Sequence, residues 1–190
     1  AGQETRIDPS VSNIVDIYML ERTYDNLFRI WLQDGGVKPL TSTSDQLRIN
    51  YSGTLNPLKS LSDQIVYHPV KYKILFGANA DEQLQATFKV VKNTKTNVTD
   101  AVIKTRVIAA VNEFFALDNW DFGDTFYFTE LAAYVHNQLA PDLLTAVIVP
   151  NQAGQGFGSL FQINSASDEI FISGATVDDV TIISALGANQ

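Results

Sequence analysis

The sequence predicts an α+β fold, and three observations carry that expectation. Apolar residues recur at two different periods in separate stretches, 3.6 for helices and 2 for strands. Strand-like and helix-like runs follow the order β-α-α-β twice. The last forty residues then read as short strands separated by polar turns. Helices mixed with hairpin-length connections suit mixed or antiparallel sheets better than a doubly wound parallel one. The expected organisation is two serial β-α-α-β units with a C-terminal β meander. They fall as subdomains 1–80 and 81–190, or as one continuous domain.

Taken in order, "NIVDIYML" (13–20) reads as a mostly buried strand. Thr23 is placed to cap a helix of about ten residues. Tyr24, Leu27, Phe28 and Trp31 share one face of it, and Gly35-Gly36 stops it. A polar loop leads to a second helix from about Asp45, broken by Gly53 and Pro57. Residues 65–76 alternate as a strand. Residues 83–92 alternate again, with Leu84, Ala86, Phe88 and Val90 on one face, so the two runs are expected to pair as a hairpin around "GANADE". Thr99 caps the clearest helix, about 100–116, with Ile103, Val107, Ala110, Val111 and Phe114 as its stripe. Thr129 is placed to cap a further helix to about Leu139, with Leu131, Val135 and Leu139 inward. "TAVIV" (145–149) reads as a short buried strand. "GSLFQIN", "EIFIS" and "DDVTIIS" supply the meander.

Composition narrows the chemistry. The chain of 190 residues has no cysteine, which removes disulfides, thiolate metal sites and cysteine nucleophiles. No apolar run approaches the roughly 20 residues of a membrane-spanning helix. "AGQETRIDPS" shows no basic-then-apolar secretion signal, and it lacks an initiator Met, so the chain reads as a piece of a longer protein or a processed one. Net charge is −8, unevenly spread. Residues 1–116 hold all 13 Lys and Arg against 12 Asp and Glu, whereas residues 117–190 hold nine Asp and Glu and no Lys or Arg. An acidic surface repels phosphates, so nucleic acid is not an expected partner of the C-terminal part.

The stretch "DNWDFGDTFYFTEL" (118–131) has the richest chemistry to weigh. Asp121-Phe122-Gly123 matches the magnesium-holding tripeptide of kinases, but the glycine-rich loop, strand lysine and His-Arg-Asp loop that such a site needs are missing. A calcium loop wants oxygen ligands at its first, third and fifth positions. Counting from Asp118, Trp120 and Phe122 fall on two of those. The better reading is a corner between two helices. Gly123 supplies the turn, the Asp residues bond nearby amides, and Trp120, Phe122, Phe126 and Phe128 anchor it. Trp120, Phe122, Phe126, Tyr127 and Phe128 are the candidate interface residues. "GQGFG" (154–158) follows a strand but leads into another, so it lacks the helix N-terminus of a phosphate loop. His68 precedes a proline in a strand, and His136 is a lone helical histidine. Asp168-Glu169 and Asp178-Asp179 sit at turns, where adjacent residues do not form an acid/base couple. No catalytic, cofactor or metal site is expected.

"VYHPVKYKILFGANADEQLQATFKV" (66–90) and "VNEFFALDNWDFGDTFYFTELAAYVHNQL" (111–139) resemble the C-terminal part of the baseplate wedge subunits of T-even-type contractile-tailed phages. Those subunits are similar in turn to the wider baseplate J-like family of contractile injection machines. Helix, turn, "GDTFYFTEL", helix and then the apolar "TAVIVP" carry most of the likeness. The resemblance implies a structural virion protein rather than an enzyme, without cofactor, metal or small-molecule substrate. It implies assembly in the bacterial host cytoplasm, pairing with a second copy and with other wedge subunits, and a place in a ring around the tail hub. It further implies that this chain is the C-terminal region of a longer subunit. Two other readings stand beside it: a small hydrolase using His136, and a module that adds a peptide strand to an open sheet edge.

Overall fold

The computed structural model describes residues 14–54, 64–152 and 161–184. The α+β class is borne out. The chain divides into two compact units, residues 1–71 and 72–190, where the sequence reading set a boundary at 80/81.

The first unit is one β-α-α-β run: β1 (Ile14–Met19), α1 (Arg22–Asp34), α2 (Ser44–Tyr51) and β2 (Gln64–Pro69). The strands pair in parallel, Ile14 opposite Gln64 through Met19 opposite Pro69. Tyr24, Phe28, Leu47, Tyr67 and Val70 are buried, and Trp31 meets Phe28 edge-on at 5.3 Å. Thr23 does not cap α1. Glu21 is the N-cap and uses no side chain, so Thr23 lies inside the first turn, with Asp25 there to face the helix dipole. Gly35, at φ 75°, ends the helix and bonds back to the Trp31 carbonyl, as expected. A reciprocal capping box opens α2. The Thr43 hydroxyl accepts from Gln46 N, and the Gln46 side chain accepts from Thr43 N.

The second unit contains β3 (from Lys71 at the unit boundary to Leu75), β4 (Ala86–Lys92), α3 (Asp100–Phe114), β5 (Thr125–Tyr127), α4 (Phe128–Leu139), β6 (Leu143–Pro150), β7 (Gln162–Asn164), β8 (Glu169–Ser173) and β9 (Val180–Ser184). Its largest sheet has the order β6-β4-β9, antiparallel on the β6 side and parallel on the β9 side. Ala86, Phe88 and Val90 of β4 point into the core, as the alternation required. Ile103, Val107, Ala110 and Val111 of α3 and Leu131, Val135 and Leu139 of α4 cover them.

Two pairing expectations are corrected. The runs 65–76 and 83–92 do not form a hairpin: β2 pairs with β1, β3 with β8, and β4 with β6 and β9. Phe76 (φ 66°) and Gly77 (φ 78°) turn the chain away after β3, so it cannot fold straight back. The last three strands form no meander either. β7 lies on β5, β8 on β3 and β9 on β4. The turn between β7 and β8 is tied elsewhere: Ser165 donates both N–H and hydroxyl to the Asp124 carbonyl. Ile170, Phe171, Ile172 and Ser173 are all buried, so β8 must be covered on both faces, which a terminal meander would not provide. Thr129 also fails as a cap. β5 runs directly into α4, and the Phe128 N–H is satisfied by the Phe161 carbonyl instead.

Beside that turn, β3 and the end of β8 touch backbone to backbone. Gly174 N donates to the Leu75 carbonyl at 2.8 Å. A Cβ on Gly77 would lie 1.9 Å from the Gly174 oxygen, whereas one on Gly35 would meet nothing. Both glycines have positive φ. Gly77→Ala is therefore expected to lose about 3 kcal/mol from strain plus overlap. Gly35→Ala should lose only about 1 kcal/mol from strain alone. Denaturant titration of the two variants separates these, and equal losses would refute the crossing as a constraint.

Candidate interaction surface

The aromatic corner is a closed structure. Asp124 accepts from Asp121 N at 2.8 Å, and Gly123 takes φ 77° while its N–H bonds the Glu169 carbonyl. The Trp120 indole donates to the Phe114 carbonyl at 2.8 Å and stacks on Phe115. Of the five sequence candidates, Phe126 and Phe128 are core residues and Trp120 is half-buried. Phe122 and Tyr127 remain exposed, at 38% and 41%. Phe122 is thus only partly covered: beside the turn at Gly123, more than a third of it stays exposed. Phe126→Ala is expected to lose about 3–5 kcal/mol, and Phe122→Ser less than about 0.5. Thermal unfolding monitored by circular dichroism would show the contrast.

The other sequence candidates are dispersed. His68 Nε2 lies 2.9 Å from Asp16 Oδ1, and its ring stacks on Tyr18 across the β1–β2 pair. His136 sits on α4, where its Nδ1 is buried without a hydrogen-bond partner among the described residues. Glu169 and Asp179 close turns, accepting from Ala166 N and Thr176 N. No group of three His, Asp or Glu among the described residues is placed to share a metal. No described helix is long and apolar enough to cross a membrane. "GQGFG" lies outside the described residues.

The surface that the sequence reading missed is β6. Instead of a short buried strand it is, among the described residues, an eight-residue edge strand, "LLTAVIVP", with no charged side chain. Its register runs from Ala86 opposite Pro150 to Val91 opposite Thr145. An irregularity follows, so that Lys92 faces Leu143 and Leu144 is left over as a bulge. Leu144 is 52% exposed and Val147 50%. Because Phe88 and Val90 face the core, their partners Ile148 and Ala146 lie on the core side, and Val147 lies on the outer face beside Lys89. Along the core side of this edge runs a groove of about 270 Å³. Phe128, Thr129 and Ala132 of α4, Ala146, Val147 and Ile148 of β6, and Phe161 line it. The first unit carries a separate exposed apolar set, Leu27 and Ile30 of α1 with Val37 and Leu40 of the following loop.

Both ends of β6 are fastened. At its start, Asp142 accepts from the Thr96 hydroxyl and from Arg106, each at 2.7 Å, and Asn93 N donates to the Asp142 carbonyl. At its end, Asn151 N bonds the Gln85 carbonyl, and its side chain accepts from the Thr87 hydroxyl. The Thr96 hydroxyl bond, and then Arg106, hold the Asp142 carboxyl below its ordinary range, against an opposing push from desolvation. A carboxyl so depressed stabilises the fold above the unfolded-state value near 3.8, and that stability is lost as pH falls below it. Asp142→Asn is therefore expected to melt below wild type at pH 7. The gap should close between about pH 5 and the acid limit, as melting curves across pH would show.

No protein-family model matches this chain, and no curated protein matches it.

Proposed function

We propose that this chain is a structural assembly subunit rather than an enzyme, and that it forms part of the baseplate wedge of a contractile phage tail. The single observation that supports an assembly role is the β6 edge: eight uncharged residues, an outer side with no strand on it among the described residues, and an apolar groove alongside. Soluble proteins protect edge strands with charges or cover because an open one templates pairing with another chain. Here no Lys, Arg, Asp or Glu does so along the strand itself. The likeness of residues 66–90 and 111–139 to wedge subunits supplies the particular assembly: a second copy and other wedge proteins in a ring around the hub, in the virion.

The same edge also favours the strand-adding module as a second reading, in which the chain stays monomeric and takes up a foreign extended segment. Light scattering separates the two. On the wedge reading the mass rises from 20.9 kDa toward twice that value as concentration increases. Added salt should strengthen the association, since two copies at net −8 repel. A constant 20.9 kDa would count against self-pairing.

A further inference from the structure

We draw no further inference here: the strongest candidate, the exposed apolar face that Leu27 and Ile30 of α1 present with Val37 and Leu40 of the following loop, carries nothing because nothing in the structure shows what covers it.

Discussion

The close approach of two backbones at Gly77 and Gly174 is the constraint on which the second unit depends. Neither residue has a Cβ, so β3 and β8 can cross at a distance that any side chain would forbid. The crossing forces the chain into positive φ at Phe76 and Gly77. The Phe76 ring is thereby delivered to the centre of the core, with Phe88 at 5.0 Å and Phe126 at 6.0 Å, all in edge-on contact. Phe126 in turn packs on Phe128 at 5.0 Å, and Phe128 is a wall of the β6 groove. A glycine contact far along the chain thus sets the shape of the surface proposed for assembly, through three aromatic rings in succession.

The mixed sheet decides which strand is left open. β4 has partners on both sides and its apolar face beneath two helices, so its amphipathic alternation serves burial rather than recognition. The alternating strand read at 83–92 therefore offers no edge. Among the described residues the two edges of this sheet are β6 and β9, and they differ. β9 has five residues and follows a turn in which Asp179 bonds Thr176. β6, uncharged like β9, is longer and is interrupted only by the bulge at Leu144 and by Pro150. Bulges and prolines are the usual devices for blunting an edge. Placed at the two ends of β6, they limit the usable edge without closing it.

What was legible in the sequence follows from how local each signal is. The alternation of β4, the α4 stripe and the Thr99 cap are local and appear as read, and so does the α3 stripe up to Val111, with Phe114 half-buried. On α1 Tyr24 and Phe28 are buried but Leu27, read onto the same face, is exposed. The capping box at Thr43 and Gln46 was equally local and could have been found from its spacing. Strand pairing is not local. Each terminal strand is drawn to a different earlier strand by the core it must complete, and polar turns of four to six residues say nothing about which. The aromatic corner was legible as a corner, yet its burial was not. Phe122 and Phe126 are both phenylalanines within four residues of each other, and the turn at Gly123 between them leaves one partly exposed and the other in the core. The β6 edge was masked for a physical reason. A charge-free apolar run is also what a strand covered on both faces looks like, so sequence alone cannot distinguish a buried strand from an open one.

An edge strand becomes an interface only if it is held in pairing geometry before its partner arrives. β6 meets that condition. Asp142 clamps its start to Thr96 and Arg106, Asn151 ties its end to Gln85 and Thr87, and β4 fixes its length between. Little backbone freedom is left to lose on pairing, so a short seam can return measurable affinity where a floppy segment of equal area would not. The charge distribution then sets what kind of contact is possible. A chain at net −8, with nine acids and no Lys or Arg beyond residue 116, cannot meet its copy through that acidic half without repulsion. A neutral, preorganised strand within the same half is the place where backbone bonds and apolar burial can outweigh it.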